Sequence, residues 1–243
     1  MIVTAYYDIY DKPARFWEYF DLFYDLAASG LPIVVFTDPA FVRKFRFLPS
    51  TVRVVPAPLD SFELYQTAMA YMGELPKERT VEKDTKAFFG LMATKAEFVK
   101  RAKELYPAVQ TFLWCDFGIS KIFKGGGATM TAVVEKLREI LYRGRYHRMA
   151  IPGCWSEARF FSVDRVHWRF CGGFYVTPAS FVDRFYDHVR AVLRDFTTNP
   201  VYKLSWETNI WYIISVCAED RAMMQWYYSD HDQQMILSAP LEN

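Results

Sequence analysis

The 243-residue sequence lacks the features that mark several large classes of protein. Its four cysteines form no CxxC pair, and most lie in apolar runs, where a free thiol behaves as a small hydrophobe. The longest apolar run, residues 210–218 with one serine inside it, is too short to span a bilayer. A net charge of +1 indicates neither a nucleic-acid surface nor a polybasic membrane patch, and no basic leader precedes the first strand-like residues. The sequence therefore predicts a reduced, cytoplasmic protein, with peripheral attachment to a membrane as the alternative.

The composition allows a large core in one domain spanning residues 1–243, because 52% of the residues are hydrophobic and 18% are aromatic. Short apolar runs at residues 2–7, 31–36 and 52–55 predict strands, and they alternate with helical patterns. This alternation predicts an α/β fold with a mainly parallel, doubly wound central sheet flanked by helices. There is no internal repeat and no linker, and the sequence does not indicate an oligomeric state.

The helical patterns in the first half carry two features of interest. Asp60 fits the N-cap position and Glu63 the N3 position of a capping box, which predicts a helix reaching about residue 73. A longer pattern predicts one helix over residues 84–106, and Lys95 lies on its apolar stripe. A lysine in that position either extends its ammonium to water along the apolar surface or meets an anion.

The segment Thr111–Gly118 predicts a strand that ends at a carboxylate, Asp116. In an α/β sheet the carboxyl end of a strand opens into a ligand crevice, where a carboxylate can hold a divalent cation. The same Asp could instead cap the turn with its own side chain. The Asp-Phe-Gly triplet is not a protein-kinase motif, because the glycine-rich loop, strand lysine and catalytic loop of kinases do not precede it. The glycine run at residues 125–127 also lacks the other residues of a P-loop.

The second half contains three further candidates, each with a structural alternative. A predicted strand over residues 169–177 contains Gly172 and Gly173, which mark either a close approach by a ligand or a bulge. A predicted helix over residues 206–218, capped by Ser205, has Glu207 in its first turn, where it is either a catalytic carboxylate or a favourable partner of the helix dipole. After a predicted strand at 224–228, His231 lies between two aspartates, as a metal ligand or in a polar surface turn.

With these segments in order, the chain resembles nucleotide-sugar glycosyltransferases of the GT-A fold. More narrowly, it resembles the HtrL/YibB-type family of bacterial surface-polysaccharide glycosyltransferases. The resemblance is carried by residues 2–8, 33–38, 112–118, 168–174, 206–211 and 226–231, together with Lys95. It covers nearly the whole chain, with residues 1–118 as the nucleotide-binding half and residues 119–243 as the acceptor-side half.

The resemblance implies transfer of a sugar from a nucleotide diphosphate sugar to a glycan or lipid-linked glycan, with Mn²⁺ or Mg²⁺ as the cofactor. By the same likeness, the residues at the base and ribose would be Thr4, Tyr6 and Asp38. Lys95 would face the diphosphate, and Asp116 and His231 would hold the metal. Gly172 and Gly173 would let the sugar lie against the strand, and Glu207 would act as the base or as a sugar-binding carboxylate.

One departure from the usual motif keeps two alternatives open. Such enzymes carry two carboxylates around one residue, whereas here the second position is Gly118. This departure is the best support for one alternative, a non-catalytic relative that binds glycans or nucleotide sugars. The other alternative, a sugar-nucleotide nucleotidyltransferase, would require a glycine- and arginine-rich amino-terminal loop that the sequence lacks.

Overall fold

The structure is a computed structural model that describes residues 1–12, 14–155, 160–217 and 223–241. Seven strands form one sheet in the described chain. They are β1 (Ile2–Tyr6), β2 (Ile33–Thr37), β3 (Val52–Pro56), β4 (Thr111–Cys115), β5 (Met149–Gly153), β6 (Phe174–Pro178) and β7 (Met224–Tyr228). Their order across the sheet is β3-β2-β1-β4-β6-β5-β7. The strand β6 runs antiparallel to both of its neighbours, and the remaining pairs are parallel. The predicted α/β fold with a mainly parallel central sheet is confirmed.

Helices cover both faces of the sheet. They are α1 (Arg15–Ala27), α2 (Glu63–Met69), α3 (Lys86–Ala93), α4 (Lys95–Leu105), α5 (Gly126–Tyr142), α6 (Ala179–Thr198), α7 (Glu207–Val216) and α8 (Gln234–Leu237). Along β1 and β4, alternate residues enter opposite cores: Val3 and Trp114 lie on one side, and Ile2 and Leu113 lie on the other. Burial on both faces explains why these strands are continuous apolar runs rather than alternating ones. Within the described residues, no helix is both long enough and apolar enough to cross a membrane.

The prediction of one long helix over residues 84–106 is wrong, because the chain turns at Thr94 and forms two helices, α3 and α4, instead. The hydroxyl of Thr94 donates a hydrogen bond to the carbonyl of Gly90 at 2.7 Å, which holds this turn. The break makes Lys95 the first residue of α4. A cation is unfavourable at a helix N-terminus, so Lys95 requires acidic partners.

The predicted cap by Asp60 and Glu63 is also wrong. The side chain of Asp60 does not cap α2, which begins at Glu63 itself. Instead, the buried carboxylate of Glu97 accepts hydrogen bonds from the backbone N–H groups of Glu63 and Leu64 at 3.1 and 2.9 Å. A cap supplied from another helix leaves no local sequence pattern.

Two predicted boundaries in the second half differ from the structure. The strand predicted over residues 169–177 begins only at Phe174, so Gly172 and Gly173 precede β6 rather than lying inside it. Ser205 does not cap α7, and its hydroxyl accepts a hydrogen bond from the side-chain amide of Asn209. The predicted end of that helix, at residue 218, lies outside the described residues.

Candidate functional site

A cavity of about 490 Å³ lies at the carboxyl ends of β1 and β4. Asp8, which follows β1, and Asp116, which follows β4, both line it. From β1 the chain builds the sheet outward in one direction through β2 and β3, and β4 lies on the opposite side of β1. Ligands of open α/β sheets bind at such a switch point, outside the carboxyl ends of the strands. The volume is within the usual range for small-molecule sites.

The ammonium of Lys95 lies at the centre of a buried ion-pair group. It is 2.7 Å from Oε1 of Glu207 and 2.9 Å from Oδ1 of Asp116, and it donates to the backbone carbonyl of Gly172 at 2.9 Å. These acceptors account for all three ammonium hydrogens. Only 1% of Lys95 is exposed. The lysine therefore pairs with both predicted site carboxylates, which come from opposite halves of the chain, and the group of three keeps one net negative charge.

Electrostatics keep this lysine charged. Burial alone would lower the pKa of Lys95, because it penalises the ammonium form. The negative charges and hydrogen bonds of Asp116 and Glu207 act in the opposite direction and prevail, so the pKa lies above its ordinary value. The Lys95 ammonium also lies 5.6 Å from the centroid of the Trp114 ring.

Glu207 is the first residue of α7 and is 5% exposed. A methyl group on Gly172 would lie 2.0 Å from its Oε1, so the absence of a side chain at Gly172 makes room for this carboxylate. A methyl group on Gly173 would lie 3.2 Å from Cε of Met235 and 3.7 Å from Oδ2 of Asp116. The space beside both glycines is thus occupied by protein side chains. Their predicted contact with a sugar stays a prediction.

Asp116 is fixed at both its backbone and its side chain. Its N–H donates to the carbonyl of Gly173 at 2.9 Å, and the indole N–H of Trp114 donates to its Oδ1 at 2.8 Å. Its side chain is 38% exposed, in contrast to the buried Glu207. The same oxygen, Oδ1, faces Lys95. Asp116 therefore presents its carboxylate to the cavity in one defined orientation.

The two predicted metal ligands, Asp116 and His231, both line the cavity. Partial burial lowers the pKa of His231, and the charges of Lys83 and Lys95 act in the same direction. A neutral imidazole is the form that binds a metal. In the described part of the chain, no group of three or more His, Cys, Asp and Glu side chains could hold an ion. Binding of a metal by Asp116 and His231 therefore stays a prediction.

The remaining predicted residues divide between the cavity and its surroundings. Tyr6 lines the cavity, packs edge-on against Phe16, and has its pKa raised to about 12 by burial. Thr4 is fully buried and does not line the cavity, and its Oγ1 has no hydrogen-bond partner among the described residues. Asp38 caps a 3-10 turn by accepting from the N–H of Ala40 at 2.8 Å, outside the cavity lining. Contacts of these three residues with a base or ribose stay predictions.

The cavity-lining residues that sequence reasoning missed include Arg15, Tyr19, Lys83 and Lys121. Arg15 offered one signal, because it is a cation in the first turn of α1, where the helix dipole disfavours positive charge. The other three carried no signal that distinguishes them from ordinary surface residues.

Comparisons with known proteins identify no family. No family model matches the chain, and no curated protein matches it. Among solved structures, a glycosyltransferase involved in the glycosylation of the major capsid of PBCV-1 is 10% identical, with 94% of this chain and 81% of that one covered and a TM-score of 0.42. The mannose-1-phosphate geranyltransferase from Thermus thermophilus is also 10% identical, with 93% and 72% covered and a TM-score of 0.42. Likenesses this distant say nothing about substrates or residue roles, and membership in the HtrL/YibB-type family stays a prediction.

Proposed function

We propose that this protein is a glycosyltransferase that transfers a sugar from a nucleotide diphosphate sugar to a glycan or lipid-linked glycan acceptor. One observation carries the proposal: the ion-paired group of Lys95, Asp116 and Glu207 lies in a cavity at the switch point of the sheet. A carboxylate can accept the proton of an attacking hydroxyl, and a cation can stabilise a leaving phosphate.

The shape and lining of the cavity suit a nucleotide sugar. Its walls include many aromatic side chains, the kind of residue that commonly lines small-molecule sites. Among them are Tyr6, Tyr7, Tyr10, Tyr19, Trp114, Trp168 and Trp206. Charged groups converge between them from β1, β4, α4 and α7. A mainly apolar pocket with a few placed charges is the usual form of a cofactor or substrate site.

The reaction makes two demands on the protein. The acceptor hydroxyl attacks the anomeric carbon and loses its proton, while the bond from that carbon to the diphosphate oxygen breaks. In an inverting reaction Glu207 would accept the proton, and the hydrogen bond from Lys95 would hold Glu207 in place. The nucleoside diphosphate leaves with increased negative charge, which fixed positive charges around the cavity stabilise.

Asp116 and His231 would hold Mn²⁺ or Mg²⁺ together with diphosphate oxygens. Such an ion, when bound, neutralises charge on the leaving group as a Lewis acid. The free charge of Asp116 is reduced by Lys95, so we expect weak metal binding by the protein alone and stronger binding in the presence of a nucleoside diphosphate.

The test is a thermal-shift titration with UDP-, GDP- and dTDP-sugars, with CMP-sugars as a monophosphate comparison, each with and without Mn²⁺. Selective stabilisation by one nucleoside diphosphate family, followed by release of that diphosphate when a glycan acceptor is added, is the expected result. In the Asp116→Ala variant, Mn²⁺ should no longer strengthen binding. Binding without turnover would instead favour a non-catalytic relative. Formation of a nucleotide sugar from a nucleoside triphosphate and a sugar phosphate would favour a nucleotidyltransferase, and no binding at all would contradict the proposal.

A further inference from the structure

Three cations line the cavity without a carboxylate partner: Arg15, Lys83 and Lys121, here called the cation group. In the described ranges of the chain, none of them forms a salt bridge. Lys83 and Lys121 are exposed and Arg15 is partly buried. The carboxylates lining the same cavity are Asp8, Asp116 and Glu207, and the last two are already paired with Lys95. With Lys95 included, four side-chain cations and three carboxylates line the cavity, so the lining carries an excess of one positive charge, and the cation group holds its charge outside any salt bridge.

Two of these cations contact the same aromatic ring, that of Tyr19. The guanidinium of Arg15 lies 5.7 Å from the centroid of its ring, and the ammonium of Lys121 lies 5.6 Å from the same centroid. The guanidinium of Arg15 also lies 5.2 Å from the ring centroid of Tyr10. Cation–π contacts hold each side chain near the ring, but the two like charges repel one another. A multiply charged anion bound beside the ring would be attracted by both charges and would offset that repulsion.

Lys95 is unsuited to the role of principal phosphate ligand. Its ammonium hydrogens are directed at Gly172, Asp116 and Glu207, and almost none of its surface is exposed. To bind a phosphate oxygen it would have to give up one of these three partners, two of which are carboxylates. The charge of a bound phosphate group must therefore be met mainly by other cations of the cavity.

Gly118, two residues after Asp116, supports the view that other cations of the cavity bind the phosphate group. A methyl group on Gly118 would lie 2.5 Å from Cδ1 of Tyr19, so the tyrosine ring fills the place of a side chain there. A second carboxylate at this position is incompatible with the ring as it lies. The chain thus has an aromatic ring flanked by two cations where an additional acidic metal ligand would otherwise stand.

We propose that Arg15 and Lys121, held against Tyr19, form with Lys83 a subsite that binds the diphosphate group of the nucleotide sugar directly through side-chain cations. This inference rests on the proposed function for the identity of the ligand, but the subsite itself requires only a compact anion with several negative charges. It assigns to the cation group the role that sequence reasoning gave to Lys95.

The experiment measures binding of inorganic pyrophosphate by calorimetry, in EDTA and at fixed ionic strength. We expect binding in the absence of divalent metal. In the Arg15→Gln/Lys121→Gln variant the dissociation constant should rise at least about tenfold, because charge-assisted hydrogen bonds are lost. The matched control is Arg43→Gln/Arg53→Gln, which removes the same net charge at exposed positions outside the cavity lining and should leave the dissociation constant within about twofold.

Two results would overturn the subsite: no pyrophosphate binding in EDTA, or equal weakening in the cavity variant and in the control variant. Both measurements are independent of sugar transfer. If pyrophosphate binds as expected and no nucleotide sugar does, the subsite stands and the proposed function fails. If nucleotide sugars bind only with Mn²⁺ and the cavity variant binds them as the wild type does, the proposed function stands and the subsite fails.

Discussion

A methyl group on Gly172 would lie 2.0 Å from Oε1 of Glu207, so the two residues fit together only because Gly172 has no side chain. The same methyl group would lie 3.4 Å from Nζ of Lys95. Since Lys95 also donates to the carbonyl of Gly172, the backbone before β6 is part of the ion-pair group and not merely a connection.

Gly172→Ala should therefore displace the Glu207 carboxylate and lengthen its contact with Lys95. We expect a loss of about 1–3 kcal/mol in the free energy of unfolding, measured by urea denaturation. Because the displaced group is the proposed base, activity should fall further than the loss of stability explains.

The control for this variant is Gly127→Ala. Gly127 lies in α5, and a methyl group on it would meet no atom within 4 Å. Alanine is favoured over glycine in a helix, so this variant should be as stable as the wild type or more stable by about 0.5–1 kcal/mol. Equal effects of the two substitutions would show that the packing at Gly172 is unimportant.

Lys95→Met tests the ion-pair group directly. It leaves the buried Glu207 and the partly exposed Asp116 without a positive partner. Removing one partner of a buried ion pair lowers the free energy of unfolding by about 3–5 kcal/mol. We expect a loss near the lower end of this range, because water screens the charge of Asp116. Adding Glu207→Gln to Lys95→Met should recover part of the loss. Additivity within about 0.5 kcal/mol in the double-mutant cycle would contradict direct coupling.

The raised pKa of Lys95 also predicts a dependence on alkaline pH. A group whose pKa is higher in the folded state stabilises the fold fully below its unfolded-state pKa, and the contribution disappears as the pH rises through the folded-state pKa. The ordinary lysine value is 10.5. The difference in urea midpoint between wild type and Lys95→Met should thus be constant from neutral pH to about pH 10 and narrow above it. A constant difference up to about pH 11 would contradict this assignment.

Much of the fold could be predicted from local sequence. Apolar runs ending in a carboxylate located β1, β2 and β4, and the apolar stripe correctly singled out Lys95 as a lysine with an unusual environment. The direction of β6 could not be predicted, because a short apolar run reads the same in a parallel and an antiparallel strand.

The contacts that build the site could not be predicted from the sequence, because they join residues that lie far apart along the chain. Lys95 and Glu207 are separated by 112 positions, and Glu97 caps a helix that begins 34 residues earlier. No local pattern records such pairings. In the sequence, Gly118 stands where the usual motif has its second carboxylate. In the structure, the ring of Tyr19 fills the space beside Gly118, so packing explains the glycine.

The contact between Tyr19 and position 118 can be tested by substitution. Gly118→Ala should destabilise the protein by about 1–3 kcal/mol, because its methyl group would lie 2.5 Å from Cδ1 of Tyr19. In a Tyr19→Ala background the same substitution should cost much less, since the ring is no longer there. Thermal and urea unfolding of the four proteins in the cycle measure the coupling. Equal costs in both backgrounds would mean that Tyr19 does not restrict position 118.

The sharpest chemical prediction concerns Glu207→Gln. Glutamine keeps the volume of the side chain and an oxygen that can accept from Lys95, but it cannot take up a proton as a carboxylate does. If Glu207 is the base, the rate of sugar transfer should fall by about 10²-fold or more, while the dissociation constant for the nucleoside diphosphate changes by no more than about twofold. Glu104→Gln, at an exposed carboxylate on α4, is the matched control and should keep wild-type turnover. Because the charge of Lys95 is then balanced by Asp116 alone, some loss of stability is expected, and rates should be compared well below the unfolding temperature.

Wild-type turnover in a folded Glu207→Gln protein would show that Glu207 is not the base and would leave it as the partner that holds Lys95.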